Sequence, residues 1–445
     1  MATAARASRP WMEVPDSYSA VEGLLRAGAP LVFVSGNAGT GKTTLIQYLT
    51  DVLPQHTVVV APTGVAALNV GGVTVHSFFR FPPRIQDPSE IRPLRDPALI
   101  RSLDLLVVDE VSMLRCDLMD GIDVFLRKNR RSQQPFGGVQ LLLVGDLFQL
   151  PPVVPRAERE VLETMGYATP YFFSALGLRE VPLAHVELDH VFRQADPEFV
   201  GLLNKLRVAE NREHAVGEIN SRCYMDNEDS LEDLLEDDFD MTLTCTNAQA
   251  EQINEASMES LDTAEHTYRG EIYGRFRLDE SRLPSPLELR LKSGARVMFT
   301  KNDEGRRWIN GTSGVVVDLS DQSIRVRIGG PSGPVFDVEP VTWESHEYAF
   351  DKDEGRITAR KLGDYTQFPL MLAWAVTIHK SQGKTLDRVL VDLGHGAFSP
   401  GQVYVALSRC RSLEGIRLAR PLRPSDVKCD HTIRRFYEAL AEGAQ

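Results

Sequence analysis

The chain has 445 residues, 42% of them hydrophobic and 25% charged, the balance of an ordinary soluble globular protein with room for two or three domains. Its net charge of −13 predicts no general affinity for nucleic acid or anionic membranes, so any nucleic-acid contact must come from a locally basic channel. Five widely spaced cysteines (Cys116, Cys223, Cys245, Cys410, Cys429) form no C-x-x-C pair, which argues for free thiols in a reducing compartment and against structural zinc. Residues 1–15 read as a flexible leader without the apolar core of a secretory signal. No apolar run approaches the ~18 residues of a membrane span, so no membrane association is expected. Cytoplasmic placement follows, beside the nucleoid if the source is bacterial.

After a short helix at Ser17–Leu25 comes the stretch that organises the rest, Gly36-Asn37-Ala38-Gly39-Thr40-Gly41-Lys42-Thr43. The apolar run Leu31–Val34 precedes it as a buried strand. Thr44–Leu53 follows as a helix, with Leu45, Ile46, Leu49 and Leu53 on one face and Pro54 as its stop. The glycines let the backbone turn tightly and aim N–H groups at phosphate oxygens, and the helix N-terminus adds positive potential. Lys42 can reach the β- and γ-phosphates, and the Thr43 hydroxyl can ligate Mg²⁺. Gly36, Ala38, Gly39, Thr40, Gly41, Lys42, Thr43 and Thr44 are therefore the candidate nucleotide-binding set.

His56–Val60 is a second strand, running into Ala61-Pro62-Thr63-Gly64 and a helix at Val65–Asn69. The proline- and charge-rich residues 81–98 read as an excursion from the sheet. Leu103–Val108 is a third strand ending at Asp109-Glu110, and Val139–Gly145 a fourth ending at Asp146. Strands alternating with helices, with polar motifs at their carboxyl ends, describe a parallel α/β sheet that binds its ligand along that edge. There Asp109 can hold Mg²⁺ through water, and Glu110 can polarise the attacking water. Gln149, in Gly145–Pro152, can hydrogen-bond the γ-phosphate without competing for the metal. The basic run Arg127–Arg131 is either a solvated face or a flank for duplex nucleic acid.

A second α/β unit is expected to open near Val186, with strands at Met241–Cys245 and Arg388–Leu393 and helices at Ala248–Leu261 and Gly401–Ser408. The acidic segment Glu228–Asp240 reads as solvated. Between the halves, Ala295–Thr300, Gly314–Leu319, Ser323–Ile328 and Val335–Val338 are short β-rich runs separated by turn residues. They predict a small antiparallel barrel inserted at about 290–360. Arg193 and Arg409 both lie in the second unit, from which a guanidinium could stabilise γ-phosphate charge across a cleft.

The ordered series Gly36–Thr43, Ala61–Gly64, Val108–Met113, Gly145–Pro152, Phe192–Gln194, Ile378–Gly383 and Val405–Arg409 resembles the motifs of superfamily-one helicases. Val108–Met113, Thr74–Phe79 and Thr377–Gly383 resemble the Pif (petite integration frequency) family in particular, over about residues 17 to 420. The resemblance implies an ATP- and Mg²⁺-dependent motor that moves 5′ to 3′ on single-stranded DNA, with roles in repair, recombination or genome maintenance. It implies two RecA-like domains, at 16–185 and at 186–289 with 361–445. A wedge at roughly 78–100 and an SH3-like barrel at 290–360 would be insertions. By matching motif, Asp109 and Thr43 hold the metal, while Glu110, Gln149, Arg193 and Arg409 are catalytic and Gly383 joins the nucleotide set. Pro62, Thr63, Gly64, His76, Ser77 and Phe78 on one domain, with Thr377, His379 and Lys380 on the other, would grip phosphates and stack a base. Expected partners are single-stranded DNA and its junctions with duplex, with G-quadruplexes and RNA–DNA hybrids as further candidates and a monomeric motor. Asp16–Gly28 lacks the glutamine that often reads adenine in this superfamily, which predicts a looser nucleotide preference.

Other readings share parts of this pattern. A RecD-like helicase, a DNA-dependent switch or loader that hydrolyses ATP without unwinding, and an RNA helicase would each carry the same motor motifs. A phosphate-loop kinase would leave Gln149, His379–Gly383 and the second α/β unit unexplained.

Overall fold

The computed structural model describes residues 14–443 apart from 54–55, 83, 225–238, 240, 277–282, 309, 322 and 352–355. Most of the expected leader and of the acidic segment Glu228–Asp240 lies outside these described residues. The first sheet is parallel and six-stranded: β1 (Leu31–Gly36), β2 (Thr57–Ala61), β3 (Val73–Thr74), β4 (Leu105–Val108), β5 (Gln140–Gly145) and β6 (Leu183–Leu188), in the order β3-β2-β4-β5-β1-β6. Its central strands are continuous apolar runs because helices cover both faces. Val32 and Val34 pack with Leu45 and Leu49 of the helix Lys42–Val52, and Leu31 and Phe33 pack on the opposite side with Met119 and Ile122 of Cys116–Arg130. Successive strand residues point to opposite faces, so one run serves both layers.

Val186 lies inside β6, which pairs with β1 from Leu31↔Leu183 to Gly36↔Leu188. The first sheet therefore runs past the residue where the second unit was expected to open. β6 was hard to see because most of its side chains are only half-buried, as befits an edge strand.

The second unit is a parallel sheet of β7 (Met241–Thr244), with β18 (Ala375–Thr377), β19 (Val389–Asp392) and β20 (Ile416–Leu418) in the order β18-β7-β19-β20. Between β7 and β18 the chain is antiparallel. β8 (Glu265–Arg269) pairs with β10 (Glu288–Lys292), and β9 (Glu271–Gly274) joins the long hairpin of β15 (Val341–Asp351) and β16 (Arg356–Gln367). β11 (Arg296–Phe299), β12 (Ser313–Leu319), β13 (Ile324–Ile328), β14 (Val335–Val338) and β17 (Leu370–Leu372) form a five-stranded sheet ordered β14-β13-β12-β11-β17. The four strands expected from alternation and turn residues are present within a residue or two. The β-rich region also reaches further in both directions than 290–360, from β8 to β17, and β15 packs against the helix Ala98–Ser102 of the first unit.

Two features of the packing tie distant segments together. The last helix, His431–Ala441, begins at Asp430, whose carboxylate accepts from the Thr432 N–H at 2.8 Å. It returns to the first unit, where Phe436 stacks on Phe173 at 4.3 Å between centroids and joins Phe33 and Phe172 in one core. Several cations of the basic run Arg127–Arg131 are engaged within the protein itself. Arg127 pairs with Asp123 at 2.8 Å, Lys128 donates to the Ile91 carbonyl at 2.8 Å, and Arg130 donates to the carbonyls of Ile100, Arg101 and Leu103 at 2.8–2.9 Å. Lys128 thus ties the excursion at 81–98 to the helix beneath it, and Arg130 satisfies carbonyls left open at the end of the helix Ala98–Ser102. No helix among the described residues is long and apolar enough to cross a membrane.

Candidate active site

The register of the first sheet assembles the site. β1 pairs with β5 as Ser35↔Gly145, and β4 with β5 as Val108↔Leu143, so Gly36, Asp109 and Asp146 emerge side by side at the carboxyl edge. The loop from Gly36 to Gly41 carries left-handed backbone at Gly39 (φ 84°) and Gly41 (φ 82°), delivering the chain into the helix Lys42–Val52. A side chain at Gly39 would meet the Cβ of Arg193 at 2.6 Å, so the segment carrying Arg193 presses directly on the loop. Lys42 Nζ donates to the carbonyls of Gly36 and Asn37, both at 2.8 Å. Burial holds its pKa below the usual lysine value, against the pull of Asp146, Glu110 and Asp109.

Asp109 and Glu110 are adjacent carboxylates with little water around them. Burial and the neighbouring Glu110 charge push the Asp109 pKa up to about 7, and burial raises that of Glu110 as well. Glu110 also has a left-handed backbone (φ 50°), uncommon for a side chain of this kind and a strain that recurs at functional sites. Such a crowded pair calls for a cation. Among the described residues no three His, Cys, Asp or Glu side chains cluster as a metal site, so an ion here would rest on Asp109, the Thr43 hydroxyl and ligand oxygens. The residues fit a nucleotide-bound Mg²⁺ rather than a metal held by protein alone.

The second unit reaches into the same space. Gln382 Nε2 donates to Glu110 Oε2 at 3.1 Å and to Gln149 Oε1 at 3.3 Å. A side chain at Gly383, expected at the nucleotide, would lie 3.5 Å from the Asn69 amide of the first unit, and its neighbour Gln382 enters the site. Arg193 donates to the Ser408 carbonyl at 3.1 Å, and Arg409 binds the Val405 carbonyl (2.9 Å) and the Ser408 hydroxyl (2.8 Å) while only 1% exposed. Burial and the adjacent Arg193 cation push the Arg409 pKa down to about 9. Four further residues were not singled out from sequence: Gln382, Asp146, Tyr404 and Phe192. Gln382, Asp146 and Phe192 sat within quoted motifs without a role, and Tyr404 lay in the helix expected at Gly401–Ser408. Phe192 is 59% exposed, and its N–H donates to the Gly39 carbonyl at 2.9 Å. That leaves an open aromatic face beside the phosphate loop.

The candidate DNA contacts divide by what they already do. Thr63 caps the helix Gly64–Val70 by accepting from the Ala66 N–H (3.2 Å), and Thr377 accepts from the Lys380 N–H (3.3 Å), so these hydroxyls shape their turns. The His76 ring sits 3.3 Å from the Phe81 carbonyl, and Phe78 packs edge-on against Phe79 at 4.8 Å. Gly64 and Ser77 line a cleft whose other wall is Phe276, Glu344 and Ser345, and Lys380 is exposed. Pro62 precedes Thr63 in the same turn. Burial lowers the pKa of His379 and favours its neutral form. Asn69, on the helix that Thr63 caps, meets Asn310 of the inserted region at 3.4 Å.

Lys384 is a buried amine resting on the Met298 sulfur at 3.3 Å. Burial, helped by the nearby Lys380 ammonium, pushes its pKa down to about 7. The unfolded chain then holds more protons than the folded one between about pH 7 and 10, so this group's penalty is full below pH 7 and fades as pH rises. Lys384→Met is expected to raise unfolding free energy at pH 7 by on the order of 2 kcal/mol, with the gain vanishing near pH 10. Denaturant unfolding at the two pH values checks this; an equal gain at both would contradict it.

The family model of PIF1-like helicases matches residues 16–206. The chain is similar to the ATP-dependent DNA helicase Pif1 of Bdellovibrio bacteriovorus, 34% identical over 439 residues that cover 95% of this chain and 91% of that one. It is 33% identical to the human ATP-dependent DNA helicase PIF1 over 93% of its own length, and spans 62% of that longer protein. The crystal structure of Bacteroides Pif1 in complex with ADP-AlF4 matches with a TM-score of 0.87 at 36% identity, covering 97% of this chain and 98% of that one. Bacteroides Pif1 bound to ssDNA matches at the same identity and coverage with a TM-score of 0.70.

Proposed function

Because this chain belongs to the PIF1-like helicase family, we propose that it is an ATP-dependent DNA helicase moving 5′ to 3′ along single-stranded DNA. The two parallel sheets are its RecA-like domains, and the antiparallel region from β8 to β17 corresponds to the inserted domain, which we read as SH3-like. The observation that carries the proposal is the divided site. Glu110 and Gln149 of the first domain are hydrogen-bonded to Gln382 of the second, and Arg193 and Arg409 approach from that same side.

A divided site turns hydrolysis into motion, because its full set of contacts exists only when the domains are closed. Lys42 would leave the Gly36 and Asn37 carbonyls for the β- and γ-phosphates, and the loop N–H groups would complete the cradle. Thr43 and Asp109 would hold Mg²⁺, which would supply charge neutralisation for the phosphates. Glu110 accepts a proton from the attacking water, with Gln382 fixing its Oε2. Gln149 registers the γ-phosphate, and the Arg193 and Arg409 guanidinium groups stabilise its developing charge. Phe192 offers a stacking face to the base without reading its edge, in keeping with the missing upstream glutamine.

Partial duplexes with either a 5′ or a 3′ single-stranded tail test the polarity, with fork, G-quadruplex and RNA–DNA hybrid substrates in parallel. Unwinding of the 5′-tailed duplex by monomeric protein is expected. Unwinding of the 3′-tailed duplex alone would overturn the direction, and ATP hydrolysis with no unwinding of any substrate would favour the switch or loader. Intracellular placement beside DNA belongs to the same proposal.

A further inference from the structure

Asp146 ends β5 with no solvent exposure, one residue beyond Gly145 and beside the phosphate loop. Within its own domain the carboxylate accepts from the Phe148 N–H at 3.2 Å and, at the long distance of 3.4 Å, from Gln149 Nε2. Two stronger donors arrive from the second domain. Arg207, closing the helix Pro197–Arg207, donates Nε to Oδ1 at 3.1 Å, with its Nη2 3.0 Å from the same oxygen. Tyr404, on the helix Gln402–Leu407, donates its hydroxyl to Oδ2 at 3.1 Å. That same hydroxyl accepts the Ala38 N–H of the phosphate loop at 2.9 Å.

One phenolic oxygen thus bridges a loop amide of the first domain and a buried carboxylate of the first domain, while its ring belongs to the core of the second. The neighbourhood fixes that ring in depth. Phe148 lies between the Arg207 guanidinium, 4.5 Å over its ring, and Tyr437, stacked at 5.3 Å. Gly401, at the start of the tyrosine's helix, approaches so closely that a Cβ there would fall 2.3 Å from the Gln149 carbonyl and 2.5 Å from that of Phe148. The contact at Gly401 admits no side chain, so the helix carrying Tyr404 is seated directly on the strand end that bears Asp146, Phe148 and Gln149.

We propose that Tyr404 is a positioning residue that reports the seating of the second domain to the phosphate loop, acting through Asp146 and the Ala38 amide. When the second domain is seated, the hydroxyl holds both the loop amide and the carboxylate in place. When it withdraws, the loop amide loses its partner and Asp146 keeps only its intradomain donors. The proposal rests on the motor reading above, because it assigns a role within ATP turnover.

The test uses Tyr404→Phe, which keeps the ring and removes the hydroxyl, Asp146→Asn, and the double variant, all in the full chain. Steady-state ATP hydrolysis is measured with and without a single-stranded oligothymidine, alongside thermal unfolding. Each single variant is expected to lose about tenfold in kcat, the scale of one hydrogen bond to a charged group, with a smaller change in KM for ATP. Because the two residues act as one unit, the double variant should match the worse single variant rather than multiply the losses. Losses that multiply, a Tyr404→Phe kcat equal to wild type, or an effect confined to KM would overturn the proposal. Where unfolding of Asp146→Asn is altered, Tyr404→Phe alone decides by its kcat-against-KM split. A wild-type chain that hydrolyses ATP without DNA stimulation would sink the motor reading, yet the same cycle run on basal hydrolysis would still decide the role of Tyr404.

Discussion

Glu110→Gln is expected to lower the kcat of DNA-stimulated ATP hydrolysis by about a thousandfold, the middle of the range for removing a positioned general base. The substitution changes little else. Gln382 can still donate to the side-chain oxygen it meets at 3.1 Å, and the left-handed backbone at residue 110 is unaffected by an isosteric swap. Binding of ATP should therefore survive, and so should binding of a single-stranded oligonucleotide. Lys42→Ala supplies the contrast. It removes the cation that the loop aims at phosphate, so its loss should appear first as weakened nucleotide binding. Measuring kcat and nucleotide affinity separately for both variants distinguishes a water-activating carboxylate from a phosphate ligand. Wild-type turnover in Glu110→Gln would remove Glu110 from the chemistry.

That contrast depends on features with very different visibility in the sequence. The phosphate loop, the strand-end Asp109-Glu110 pair and the Gly145–Pro152 turn are local. Each is a short run whose backbone geometry is set by its own glycines and prolines and by the apolar strand before it. Continuous apolar runs such as Leu31–Val34 and Leu105–Val108 likewise identify strands buried on both faces. β6 was not read as a strand because an edge strand with half-buried side chains carries no such run. Gln382 was quoted within its motif, but nothing local says that it, rather than Gly383, crosses to Glu110. The same holds for Arg130, whose charge closes onto three backbone carbonyls at the end of the helix Ala98–Ser102, and for His431–Ala441. Nothing local in that helix says which core receives Phe436. Contacts between domains are set by shape and by the sum of many weak terms, and a linear pattern records only that a face is apolar.

Arg409 shows how that limit bears on catalysis, and Arg409→Lys is expected to lower kcat by about a thousandfold or more, the lower bound for removing an arginine that stabilises phosphoryl-transfer charge. Lysine keeps a positive charge but loses the planar fork that can bind two phosphate oxygens at once. The surroundings of Arg409 argue that the fork matters. Two of its donors are already fixed, Nε on the Val405 carbonyl and Nη2 on the Ser408 hydroxyl, so the guanidinium plane is set before any ligand arrives. Arg193 lies close enough that its charge helps push the Arg409 pKa down to about 9, second only to burial. Two neighbouring guanidinium groups in a buried cleft repel, and an incoming polyphosphate would relieve that repulsion as it gathers them. Such relief grows as negative charge builds on the γ-phosphate oxygens, so it favours the transition state over the bound ground state. The loss should therefore fall on kcat, with KM for ATP and affinity for a single-stranded oligonucleotide changed far less. Because Arg409 is fully buried, thermal unfolding of Arg409→Lys must be read beside its kinetics. A variant that melts like wild type and retains more than a tenth of its turnover would remove Arg409 from the reaction and leave Arg193 as the cation acting across the cleft.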